Sequence, residues 1–210
     1  MVMVVRAVMF DVGGVLELTP DLGVERRWEE QLGLPAGALG ERLADVWSGG
    51  EVGAITEADV HRAVKDRLGL HDQQVEALMG DIWRQYLGTA NTELIEYVHG
   101  LRPRYRTGII SNSFVGARER EQAAYGFEDL VDVLVYSHEA GLSKPDARIY
   151  TLACDQLGVS PGQAVFVDDL DSRVEGARQA GLQGVLYQDN AQVMAELDAL
   201  LAAQCGHPKL

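Results

Sequence analysis

Cysteine is almost missing from this sequence, with Cys154 and Cys205 the two thiols in 210 residues. Two cysteines cannot build a disulfide framework, and these have no metal-ligand spacing. Reduced thiols in a cytoplasmic protein are the expectation. No apolar run reaches the ~18 residues of a membrane-crossing helix, so no span is expected. The stretch from Met1 to Phe10 is apolar apart from Arg6, but it is short and runs into Asp11 without a small-residue cleavage site. A buried strand accounts for it better than a signal peptide. Basic residues are scarce too: 18 Lys and Arg face 32 Asp and Glu, a formal charge of −14. The averaged field repels polyanions and argues against nucleic acid as a partner. One small phosphorylated ligand is still allowed, because a cation, a lysine and backbone amides can hold it locally. Internal repeats and low-complexity tracts are also lacking.

What remains, 47% hydrophobic and 24% charged, is the composition of a folded protein. The length suits one core, or a core with a small inserted unit. Val4 to Phe10 is β-branched and apolar, as a central parallel strand buried on both faces should be. Similar runs recur at Thr107 to Ile110, Val131 to Tyr136 and Ala164 to Val167, with a weaker one at Gly184 to Tyr187. Helix-like segments such as Ala147 to Leu157 and Ser172 to Ala180 lie between them. Alternating strand and helix predicts an α/β fold, a doubly wound parallel sheet covered on both sides. From about Pro20 to Leu87 the pattern is helical, with candidates Glu25 to Leu32, Leu39 to Trp47, Glu57 to Leu68 and Gln73 to Tyr86. Glycine-rich breaks separate them, and Thr56 with Asp59 resembles a capping box. This segment reads as an insertion after the first strand.

Four groups fall at the carboxyl ends of predicted strands: Asp11, Ser111 with Asn112, Lys144, and Asp168 with Asp169. In a doubly wound sheet those ends converge where strand order reverses. Each group alone has a plainer reading as a turn former, a loop pair or a solvated lysine; the convergence favours a site. An attacking carboxylate needs a cation to screen a phosphate ester and donors to hold its oxygens. Asp11, Asp168 and Asp169 offer the hard oxygen ligands that magnesium takes beside phosphate. Ser111 can donate to a phosphoryl oxygen, and Lys144 can neutralise charge.

The runs Val8-Met9-Phe10-Asp11-Val12-Gly13-Gly14-Val15-Leu16, Gly108-Ile109-Ile110-Ser111-Asn112-Ser113, Gly141-Leu142-Ser143-Lys144-Pro145-Asp146 and Val165-Phe166-Val167-Asp168-Asp169 together resemble the haloacid dehalogenase-like superfamily, in particular its small phosphatases with a helical cap. The resemblance implies a Rossmann-like core over 1–17 and 90–210 and a helical cap over 18–89. It implies that Asp11 is a nucleophile that becomes an aspartyl phosphate. Ser111 and Lys144 would hold the phosphate, with Gly14 and Asn112 in the same binding set. Magnesium would lie on Asp11, the Gly13 carbonyl, Asp168 and Asp169. Asp169 is the expected direct ligand, and Asp168 either a second ligand or the partner of Lys144. The substrate would be a small phosphorylated metabolite.

One departure bears on mechanism. Phosphatases of this family usually carry a second aspartate two residues after the nucleophile, as general acid and base, and Gly13 stands there. Without it, charge builds on the departing oxygen, so good leaving groups such as anomeric sugar phosphates, aryl phosphates or acyl phosphates are expected. The replacement acids to consider are a magnesium-bound water and Glu51, in a loop Ser48 to Gly53 that either reaches over the site or simply joins two helices. Arg173 stands where relatives often have Asn or Asp, and reads as a helix-surface arginine. Two rival readings remain. A 2-haloacid dehalogenase would use the same nucleophile without metal, but it usually has an aromatic residue at position 13 and lacks the carboxylate pair. A silent phosphate-binding protein would keep the pocket without turnover. Trp28, Trp47 and Trp83 read as packing residues; His61, His71, His99, His138 and His207 have no ligand spacing and read as structural or solvated.

Overall fold

The apolar stretch at the amino terminus becomes a strand of four wholly buried residues, β1 (Ala7–Phe10), hydrogen-bonded in parallel to neighbours on both sides. Such a strand has no solvent face, which is why its sequence shows no polar alternation. The structure is a computed structural model that describes residues 4–202; Cys205 and His207 lie outside the described residues. After β1 come β2 (Glu17–Leu18), the helices α1 (Val24–Leu32), α2 (Ala38–Glu51), α3 (Glu57–Leu68) and α4 (Asp72–Leu87), and then β3 (Thr89–Ala90). The chain continues through α5 (Thr92–Leu101), β4 (Arg106–Ser111), α6 (Ala117–Tyr125), α7 (Phe127–Leu130), β5 (Val133–Tyr136) and α8 (Ser137–Ala140). It closes with α9 (Ala147–Leu157), β6 (Ala164–Asp168), α10 (Asp171–Gln179), β7 (Gln183–Leu186) and α11 (Asn190–Ala202).

The main sheet has the order β5-β4-β1-β6-β7, all neighbours parallel. Strand order therefore reverses at β1, and Asp11 follows it directly. Phe10, Ile109, Val165 and Val185 face one core layer with Leu94, Val98 and Leu197 of α5 and α11. Met9, Ile110 and Phe166 face the other, with Ile149, Tyr150 and Ala177 of α9 and α10. Helices on both faces make the sheet doubly wound, as the alternation in sequence implies.

The helices α1–α4 bury a separate cluster that includes Trp28, Leu43, Val60, Val64 and Leu78. The segment leaves the core at β2 and returns at β3, and these two strands pair antiparallel as a short ribbon. Thr56 caps α3 with Asp59 in a reciprocal capping box. The stretch Ser48 to Gly53 differs from its reading as a loop: α2 continues through Glu51. Two glycines in a final helical turn would ordinarily weaken it. Here Gly50 makes room, since a side chain there would collide with the Phe114 ring.

Candidate active site

Asp11, Ser111 and Asp168 meet because the parallel sheet aims the carboxyl ends of β1, β4 and β6 the same way, and Lys144 joins them from the loop after α8. Asp11 leaves β1 and is 2% exposed. Its Oδ1 accepts the Val12 amide at 2.7 Å and lies 2.7 Å from Lys144 Nζ. Its Oδ2 accepts from Arg173 Nη1 at 2.9 Å. The carboxylate is thus held between an ammonium and a guanidinium.

Lys144 is buried, and burying an ammonium is costly unless ion pairs and hydrogen bonds replace its water. Its Nζ bridges Asp11 and Asp168 Oδ2, at 2.7 Å each. The Asn112 side chain fixes the Lys144 backbone on both sides, accepting its N–H at 2.7 Å and donating to its carbonyl at 3.0 Å. Asn112, expected among the phosphate ligands, therefore spends its amide on placing the lysine. Asp168 closes β6 fully buried, its second oxygen taking the Leu170 amide at 2.9 Å. Burial, reinforced by Asp11 and opposed by Lys144, pushes its carboxyl above the usual range.

Asp169 differs from Asp168. It is half-buried, and its Oδ1 is shielded from solvent with no hydrogen-bond partner. Burial and then Asp11 raise its pKa, while Arg173 opposes. Gly14 adopts φ 79°, and a Cβ there would collide with the Asp169 carboxylate, so glycine is required twice over. Carboxylate oxygens of Asp11, Asp168 and Asp169 lie within 4.8 Å of one another. Three hard oxygen donors, one of them orphaned and caged by a glycine, fit a small divalent cation. Two of the three already have partners among Lys144, Arg173 and Leu170, which leaves Asp169 the least occupied.

Ser111 ends β4 buried, and it shares a cavity of about 440 Å³ with Gly13, Asn112, Glu17 and Tyr86. At Gly13 nothing beyond its two chain neighbours lies within 4 Å of where a side chain would begin. A second cavity of about 440 Å³ lies between the helical segment and the sheet, and Asn112 and Arg173 line it together with residues of α1, α2 and α4.

Several site residues escape a reading of the sequence. Arg173 does not lie on the outer helix surface; the start of α10 abuts the end of β6, and its guanidinium reaches Asp11 and, at 3.9 Å, Asp168. Glu17 and Glu121 are buried acids beside the site. Burial first, then Glu121 and Asp11, pushes the Glu17 carboxyl well above the carboxylate range. Glu121 accepts the Tyr136 hydroxyl. His138 is half-buried and hydrogen-bonded to Ser113 Oγ at 2.6 Å, with burial lowering its pKa. Trp28 is a packing residue of the helical cluster, whereas Trp47 and Trp83 also line the second cavity. Cys154 is a free, buried thiol. No helix among the described residues is long and apolar enough to cross a membrane.

The sequence matches the family model for haloacid dehalogenase-like hydrolases over residues 5–181. It is 27% identical over 222 residues to bifunctional epoxide hydrolase 2 of Sus scrofa, covering 96% of this chain and 40% of that protein. The chain thus spans about two fifths of that relative's length. It is 28% identical over 185 residues to the N-acetylmuramic acid 6-phosphate phosphatase of Pseudomonas aeruginosa, covering 84% of this chain and 78% of the relative. A solved HAD family enzyme of Bacteroides thetaiotaomicron, in complex with magnesium and inorganic phosphate, has the same fold, with a TM-score of 0.76 at 19% identity, covering 90% of this chain and 98% of that one.

Proposed function

The chain belongs to the haloacid dehalogenase-like hydrolases, and from that premise we propose that it is a magnesium-dependent phosphomonoester hydrolase working through an aspartyl phosphate on Asp11. The observation that carries this reading is the placement of Asp11 between two cations, Lys144 and Arg173, beside the unpartnered oxygen of Asp169. Three carboxylates face those two cations, which leaves a divalent ion to be accommodated; a phosphoryl group, with oxygens to neutralise on every side, uses such an ion, whereas displacement of halide from carbon does not. The phosphatase among its relatives points the same way.

Asp11 attacks phosphorus, the bond to the ester oxygen breaks, and the phosphoryl group passes to the carboxylate and then to water. Lys144 compensates charge on Asp11 and the phosphoryl oxygens, and Asp168 keeps that ammonium in place. Ser111 and the Gly13 backbone amide orient the oxygens, while the Val12 amide stays on Asp11 Oδ1. Asp169, Asp11 and the Gly13 carbonyl would hold magnesium, with Asp168 behind them. Bound there, the ion would supply charge screening between carboxylate and phosphate. The helices α1–α4, over residues 18–89, serve as a cap that closes the cleft and excludes water.

The test is phosphate release from acetyl phosphate, with magnesium or with chelator, by the wild type and Asp11→Asn. An amide of nearly the same shape cannot attack, so the variant should lose turnover while melting like the wild type. Magnesium-independent chloride release from 2-chloropropionate, without phosphate release, would replace this reading with a dehalogenase.

A further inference from the structure

The cavity between the helical segment and the sheet does not match the mouth it opens from. Where it meets the site it is polar, with Asn112 and Arg173 in its wall. Beyond them the wall is made by Trp47, Trp83, Phe114, Leu39, Leu78 and Ile82. The Phe114 ring meets Trp47 edge-on at 5.7 Å and Trp83 at 6.1 Å between centroids. These rings already pack on one another, and the Trp83 ring also carries the Arg120 guanidinium at 4.2 Å, so a ligand ring would meet the sides they turn to the cavity. A polyol placed there would surrender water to a wall that is mainly apolar, with Glu25, Glu51, Gln85, Tyr86 and Ser113 as the polar groups left to meet its hydroxyls. The charged side chains that line the cavity besides Arg173 are Glu25 and Glu51, which disfavour a second anionic group on the substrate.

A second observation comes from the other side of the scissile bond. Position 13 has no acid, so the site suits a leaving oxygen that tolerates negative charge, and phenolic oxygens do so better than alkoxides. We propose that the substrate is an aryl phosphate monoester whose neutral aromatic leaving group lies among Trp47, Trp83 and Phe114. The proposal rests on the phosphatase reading above. It separates aryl esters from sugar 1-phosphates, which the missing acid alone leaves equal.

Binding of stable phosphonates tests the ring pocket apart from the chemistry. In calorimetry with magnesium present, 1-naphthylmethylphosphonate should bind the wild type at least about tenfold more tightly than methylphosphonate, as expected for a ring moved from water into an apolar site. Ile82→Gln and, separately, Trp47→Gln should each shrink that ratio, with thermal melts confirming that both fold. Release of phosphate should be faster from 1-naphthyl phosphate than from glucose 1-phosphate, in kcat/KM. Equal phosphonate affinities, an advantage that persists in both variants, or a preference for glucose 1-phosphate would each overturn the proposal. Acetyl phosphate, which has no ring, keeps the two readings apart. If it is hydrolysed while the phosphonates bind alike, the aryl pocket is wrong and the phosphatase stands. If ring-selective binding holds and no ester is hydrolysed, the phosphatase reading fails instead.

Discussion

Gly13→Asp should change which esters the protein can cleave. The position is open: no atom beyond its two chain neighbours lies within 4 Å of the new Cβ, and Gly13, unlike Gly14, does not use a left-handed backbone. The side chain would enter the cavity shared by Ser111 and Asn112. A well-placed general acid contributes about 10²–10⁴-fold, or roughly 3–5 kcal/mol of barrier. Against this stands repulsion from Asp11, Asp168 and Asp169, about 2 kcal/mol for a charge ~8 Å away at an effective dielectric of ~20. That repulsion lowers stability, but it also raises the new carboxyl's pKa and keeps it protonated, as an acid catalyst must be. The expected outcome is a gain of about tenfold or more in kcat/KM on primary alkyl phosphates, with little change on p-nitrophenyl phosphate, whose oxygen needs no proton. A plot of log kcat/KM against leaving-group pKa, measured where chemistry limits the rate, should be steep for the wild type and flatter for the variant. A shallow wild-type slope would refute the reasoning; another acid would then already serve, and Glu17 and Glu51 would be the groups to substitute.

Three further outcomes are expected. Asp169→Ala should weaken magnesium binding in calorimetry more than Asp168→Ala does, because Asp169 Oδ1 is unpartnered whereas both Asp168 oxygens are occupied; equal or reversed effects would overturn that assignment. Arg173→Ala removes one of two cations facing three carboxylates and should tighten magnesium binding by about tenfold, since a unit charge at ~4 Å is worth about 1 kcal/mol even in water and the ion carries two; unchanged affinity would show that the guanidinium lies outside the ion's field. Burial, opposed by hydrogen bonds from Tyr136 and Tyr86, raises the Glu121 carboxyl above its ordinary 4.5. From that pH up to its folded-state value the folded protein holds a proton that the unfolded chain has lost, so stability falls as pH rises, by up to about 1.4 kcal/mol per unit. Urea melts of Glu121→Gln should show a smaller loss between pH 5 and 7 than the wild type, and an identical loss would place the titration elsewhere.

The parts legible in sequence were those with a short-range signature. Buried parallel strands show as apolar runs, so β1, β4 and β6 lie within a residue or two of expectation at their carboxyl ends, where Asp11, Ser111 and Asp168 stand. The capping residues of α3 gave its start. What stayed hidden depends on contacts distant in the chain. Arg173 is 162 residues from Asp11, and nothing local distinguishes it from a solvated arginine. Glu17 and Glu121 read as surface charge because their burial comes from the packing of other elements. Asn112 stands beside Ser111, but its task is set by the turn that brings Lys144 back to it. The turn at Gly49-Gly50 reads as a helix break because the Phe114 ring that occupies the vacated space comes from another part of the fold.

That ring also governs how the cleft can part. Phe114 is attached just past β4 yet projects into the helical segment, between Trp47 and Trp83, where Gly50 leaves it a socket and donates no bulk. The Val115 amide bonds the Gly50 carbonyl at 3.2 Å beside it, and Ser137 holds the carbonyl of Glu51 at 2.7 Å. Were the helices to part from the sheet, that ring would have to be unseated like a peg. A peg is either in its socket or out of it, and any parting would cost the aromatic contacts and the backbone bonds together. Passage in and out of the cleft would then proceed as clicks between detents, with the size of Gly50 setting the depth of the notch.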